Sequence, residues 1–151
     1  MKRTLLSILY SMLLLFSIPS FAGDHLIKVE SQHSVKDTAD KFIQLVDDKG
    51  LRFFSRIDHA ANAADVGLQL TPTEVILFGN PKVGTKLMLC APTVAIDLPQ
   101  KALIWEADNG TVWLAYSNPA FIKERHSIEA CDAILEKITS LLAGLAAAAT
   151  D

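Results

Sequence analysis

The chain has 151 residues, 50% of them hydrophobic and 21% charged, with a formal net charge of -3. Such a length suits one domain with a real core. The negative balance opposes counterion-release binding to nucleic acid and attraction to anionic lipid surfaces, which leaves small molecules, metals or other proteins as partners.

Lys2 and Arg3, an apolar run from Leu5 to Ile18, and Ser20-Phe21-Ala22 follow in the order of a secretory signal with a small-x-small cleavage site. Cleavage after Ala22 is expected, leaving Gly23 to Asp151 as a single mature domain. Loss of Lys2 and Arg3 takes the formal charge from -3 to -5. The apolar run is shorter than the ~20 residues that span a bilayer core. With no second run of that kind, stable membrane insertion is not expected. Gly23, rather than cysteine, after the cut argues against a lipoprotein, so the mature chain is expected in the periplasm or secreted.

The alternation of His25 to Glu30 predicts a first strand. Ser34 then caps a helix in which Val35, Ala39, Phe42, Ile43 and Val46 recur at helical spacing, with Asp37 in the first turn and Gly50 as terminator. Leu51 to Ile57 switches to period two and predicts a second strand. Asp58 to Gly67 is a loop with room for a helical turn between Ala60 and Asp65. Thr73 to Gly79 has apolar residues at both parities, so it predicts a central strand covered on both faces.

Asn80-Pro81 breaks that strand, and Lys82 to Ala91 predicts a short helix with Val83, Leu87 and Cys90 on one side. Pro92 and Pro99 bracket an irregular crossing. Ala102 to Ala107 and Thr111 to Tyr116 are β-type runs joined by Asp108-Asn109-Gly110, a hairpin signal that sets Trp105 opposite Trp113. Asn118-Pro119 opens another helix. The stripe Ile128, Cys131, Leu135, Ile138, Leu142 and Leu145 carries an amphipathic helix nearly to the end, where Ala146 to Ala149 reads as a fraying tail. The predicted order is β-α-β-β-(short α)-β-β-α, an α+β fold with helices on one face of a mostly antiparallel sheet.

The runs RIDHAANAADVGL, PTEVILFGNPKVGTKLM, APTVAIDLP and WEADNGTVWLAYSNPAF, taken in that order, resemble the domain of unknown function 302 (DUF302) family over Leu26 to His126. The resemblance implies a small α+β domain similar in fold to a TATA-binding-protein half, and a homodimer. It brings no established activity and no cofactor. Cys90 departs from the family pattern, so a disulfide would belong to this exported chain rather than to the family.

Cys90 and Cys131 stand where export lets disulfides persist. A bond between them and two separate buried thiols both fit the sequence. Arg56 to Thr85 holds the densest set of chemistry-bearing residues. Asp58-His59 offers a base or a metal ligand, although neighbours on a strand point to opposite faces. Glu74 and Asp97 are acid/base candidates, with Arg56 as a bland partner for Glu74 and a proline turn as the bland role of Asp97. Asn80-Pro81-Lys82-Val83-Gly84-Thr85 lacks a phosphate-loop signature and is explained by helix capping. His59, Met88 and Cys90 do not have metal spacing, and no metal site is predicted. The functional expectation is a small-ligand- or protein-binding face made of Asp58, His59, Glu74, Asn80 and Asp97. Its alternatives are an enzyme using His59 with Glu74 or Asp97, and a structural or interaction module.

Overall fold

A computed structural model describes residues 25–151. The signal segment, its cleavage after Ala22 and the new terminus at Gly23 lie outside the described residues. Strands β1 (Leu26–Ser31), β2 (Arg52–Asp58), β3 (Thr73–Gly79), β4 (Gln100–Glu106) and β5 (Val112–Ser117) form one antiparallel sheet in the order β1-β5-β4-β3-β2. Helices α1 (Val35–Asp48) and α5 (Asp132–Thr150) pack across one face. The short helices are α2 (His59–Asp65), α3 (Pro81–Cys90) and α4 (Pro119–Arg125), with a 3-10 turn at Pro92–Ile96.

Helix starts follow the side chains that satisfy free backbone N–H groups. Ser34 accepts from the Asp37 N–H, Asp58 from Ala61, Asn80 from Lys82 and Val83, and Asn118 from Ala120. In the β4–β5 hairpin Gly110 takes the positive φ of 82° that the turn requires, and Trp105 pairs with Trp113.

The core is a single layer between sheet and helices. Phe42, Val46 and Ala39 of α1 and Leu142, Leu145 and Ala149 of α5 are buried over Ile76, Phe78, Ala102, Ile104 and Leu114. Phe42 and Phe78 meet edge to face at 5.0 Å between ring centroids, the geometry favoured by ring quadrupoles. Buried Thr38 is satisfied twice, by the Ser31 hydroxyl at 2.7 Å and by donating to the Ser34 carbonyl at 2.8 Å.

Several expectations are corrected. β3 is interior but is covered on one face: Glu74, Ile76 and Phe78 are buried while Val75 and Leu77 are half-buried on the open face. Hydrophobicity at both parities therefore reports a two-layer fold with an apolar outer face. The alanine tail does not fray, because Ala146 and Ala149 are fully buried and the Thr150 carbonyl accepts from the Gln32 N–H at 2.9 Å. The segment from Pro92 forms a 3-10 turn, and positive φ at Ser127 separates α4 from α5. By length and composition α5 is apolar enough to cross a membrane, contrary to the expectation that no second such run exists. Much of its apolar stripe packs on the sheet and α1.

Candidate functional site

The five polar residues singled out in the sequence do not converge. Asp58 pairs with Glu74 at one end of the β2–β3 ladder, and His59 opens α2 beside them. Asn80 follows the other end of β3, and Asp97 precedes β4, whose Gln100 pairs with Phe78. The six-residue advance along β3 from Glu74 to Asn80 separates the two groups by roughly 20 Å at the rise of an extended strand.

At the first end the charges are paired. Arg56 Nε donates to Glu74 Oε2 at 2.5 Å and Nη1 to Asp40 Oδ1 at 2.5 Å, while Lys36 Nζ donates to Asp40 Oδ2 at 2.6 Å. Glu74 is buried, 8% exposed, so Arg56 satisfies a carboxylate that water barely reaches. The bond to Glu74 raises the affinity of Arg56 for its proton, and the bonds from Lys36 and then Arg56 hold the Asp40 carboxyl below its usual range. Asp58 is occupied as the α2 cap, and His59 is exposed with no carboxylate bonded to it among the described residues. The bland reading of Glu74 as the partner of Arg56 is the one the structure shows.

Asp97 belongs to a clasp that sequence reasoning missed. Its carboxylate meets His126 Nε2 at 2.5 Å and accepts from Arg125 Nη1 at 3.1 Å, and His126 Nδ1 lies 3.0 Å from Thr93 Oγ1. A hydroxyl, an imidazole and a carboxylate in series evoke nucleophilic hydrolases. Here both Asp97 oxygens are engaged, and the series ties the 3-10 turn to the end of α4. The only signal in the sequence was a histidine at a helix end, 29 residues from its partner.

An apolar concave feature lies near Asn80. A cleft of about 610 Å³ opens between α3, α5 and the adjoining strand ends. Buried Phe78, Leu87 and Leu142 line it with Ile138 and Leu141 of α5. Val83, Met88 and Leu98 form a half-buried wall opposite. A register shift between Phe53 and Ser55 inserts Phe54 as an extra residue in β2, and such bulges re-aim a side chain. Phe54 is 44% exposed and lines the cleft together with Leu51. The charged residues of the lining are Lys49 and Arg52, both cations and both exposed. Of the five expected site residues, Asn80 alone lines it.

The flanking helices are joined covalently. Cys90 at the end of α3 is disulfide-bonded to Cys131 just before α5, with Cα atoms 6.5 Å apart. The sequence favoured two separate buried thiols slightly over a bond, whereas the structure has the bond. Among the described residues no group of three or more His, Cys, Asp or Glu side chains stands together to hold a metal.

Residues 27–145 match the family model described as "Domain of unknown function DUF302". The chain belongs to the DUF302 family. Every residue that lines the cleft falls inside the matched span, as do both cysteines. The chain is also 46% identical over 109 residues to fluoride-specific ion channel FluC 1 of Brucella suis and to FluC 2 of Brucella melitensis. Those matches cover 72% of this chain but only 43% and 40% of the relatives, so the chain spans about two fifths of the curated relatives it matches. The crystal structure of an uncharacterized conserved DUF302 protein from Bacillus stearothermophilus superposes with a TM-score of 0.76 at 16% identity, covering 84% of this chain and 99% of the other. That likeness establishes the DUF302 fold.

Proposed function

We propose that this DUF302 chain is an exported, periplasmic small-ligand-binding domain whose site is the apolar cleft between α3, α5 and the strand ends. The observation that carries the reading is the cleft itself. Its volume of about 610 Å³ lies in the ~300–1,000 Å³ range of ligand pockets, and its lining of apolar and aromatic side chains with a few polar groups is their usual composition. The disulfide supports it by holding both flanking helices in register, which lowers the ordering cost of binding.

Native mass spectrometry of protein made by export, together with titration of an apolar fluorescent probe, tests the reading. Met88→Trp and Ala95→Trp place bulk in the cleft from a half-buried and an exposed position. Probe affinity is expected to fall at least tenfold in both with little change in melting temperature. Equal probe binding by folded variants would move the site elsewhere.

A second reading is favoured by the open sheet face. Val75, Leu77, Leu103, Trp105 and Trp113 stand there only half-buried, an apolar surface of the kind that marks interaction sites. It suits a homodimer. The channel name belongs to relatives more than twice as long as the shared segment, and we read that segment as a module working beside others rather than as a pore. An enzyme built on His59 has less support, because His59 and Asp97 lie at opposite ends of the sheet and Glu74 is taken by Arg56.

A further inference from the structure

Resting on the cleft as the binding site, we propose that its ligand is a single unbranched alkyl chain ending in a carboxylate, with the chain in the cleft and the head group against Lys49 and Arg52. The most deeply buried side chains of the cleft lining are apolar. Phe78, Leu87 and Leu142 are at most 2% exposed and carry no polar side-chain atom. Met88 and Leu141, half-buried on opposite walls, are side chains that adapt to a flexible chain, methionine most of all.

The rim selects the head group. Lys49 caps the C-terminal end of α1 and Arg52 opens β2, so both cations stand where α1 hands over to the sheet. The Arg52 guanidinium sits 5.8 Å from the centroid of the Phe54 ring, which holds its charge over an aromatic wall of the cleft. Among the described residues no ion pair forms on Lys49 or Arg52, a state they share with Lys28, Lys41, Lys82, Lys86, Lys101 and Lys137; what sets these two apart is that they line the cleft. The adjoining shallow depression, which shares Leu51, Arg52, Asn80 and Pro81, brings one acid, Asp47. Among the described residues that line the cleft and this depression, two are cations and one is an acid, with Asp48 exposed beside Lys49, on a chain whose formal charge is -3. A negative protein is repelled by an anionic bilayer, so two cations beside an apolar cleft suit one monomeric amphiphile rather than a membrane surface.

Calorimetric titration of the mature disulfide-bonded protein with octanoate, decanoate, dodecanoate, 1-dodecanol and dodecyltrimethylammonium, all as monomers, separates chain from head. Each added methylene is expected to tighten carboxylate binding about threefold to fourfold. Dodecanoate is expected to bind about tenfold tighter than dodecanol, with the cationic chain weakest. The double variant Lys49→Gln/Arg52→Gln changes exposed residues and should bring dodecanoate to the level of dodecanol while leaving dodecanol unchanged. If dodecanol or the cationic chain binds as well as dodecanoate, and Met88→Trp abolishes binding, the cleft stands and the anionic head group is overturned. If no chain binds, or Met88→Trp leaves binding intact, the cleft itself falls and this inference with it.

Discussion

The two ends of the sheet treat charge in opposite ways. Around Glu74, Lys36, Asp40 and Arg56 complete one another in a closed series of ion pairs. Around Phe78, two cations, Lys49 and Arg52, line an apolar opening and form no ion pair among the described residues. A group that has satisfied its partners inside the fold has little left for a ligand, whereas unpaired charge beside uncovered apolar surface has both. The sequence drew attention to the first end because that is where acid, base and histidine types cluster. The physical chemistry favours the second.

The largest expected effect sharpens the cleft end. The Cys90–Cys131 bond spans 41 residues of chain, and removing it with the double variant Cys90→Ser/Cys131→Ser should cost roughly 4 kcal/mol in the chain-entropy model. Denaturant melts of the variant against the oxidised parent measure it. A loss below about 1 kcal/mol would mean that α3 and α5 are held by packing alone.

Next, Arg56→Gln breaks the polar end by leaving Glu74 buried without its cation. It should cost about 2 kcal/mol, because Arg56 is itself part-exposed and its pairs are screened. Its probe affinity should equal that of the parent, since the ion pairs belong to the scaffold. Asn80→Ala removes the acceptor for two N–H groups at the start of α3 and should cost about 1 kcal/mol in thermal or denaturant melts.

The smallest effect is a pH dependence. The folded-state pKa of Asp40 is depressed by Lys36 and Arg56, so the stability it contributes is present above the unfolded carboxylate value of ~3.9 and is lost as pH falls through the lower folded value. With Asp40 exposed at the surface, less than about 1 kcal/mol is expected. Acid unfolding curves of the parent and Asp40→Asn should therefore separate near neutrality and merge in strong acid.

Much of the fold was legible because it is written locally. Caps at Ser34, Asn80 and Asn118, the Asp108-Asn109-Gly110 turn, and alternation in the strands each act within a few residues. Bounds shifted by a residue or two at most strands, as when Gln100 and Lys101 joined β4 by pairing with Phe78 and Leu77. The alanine tail was misjudged because its small residues look unanchored until the neighbouring surface is known. In the fold they allow close approach, with Ala146 and Ala149 fully buried.

The site was legible only in fragments. Arg56 with Glu74 was within reach of the sequence, since opposite charges on neighbouring strands are a simple guess. The His126–Asp97 clasp and the cleft were not, because each joins segments far apart in the chain. Phe54, Met88, Leu98 and Leu141 look like ordinary core in sequence. Only the packing of α3 and α5 against the strand ends leaves them facing a common space.

The most direct test compares the two ends under one ligand. Dodecanoate affinity should be measured for the parent, Met88→Trp, and the double variant His59→Ala/Glu74→Gln, with melts confirming that each is folded. The account predicts binding lost by at least tenfold in Met88→Trp and kept within twofold in His59→Ala/Glu74→Gln. Loss in the His59→Ala/Glu74→Gln protein with full binding by Met88→Trp would contradict it and return the site to the polar end.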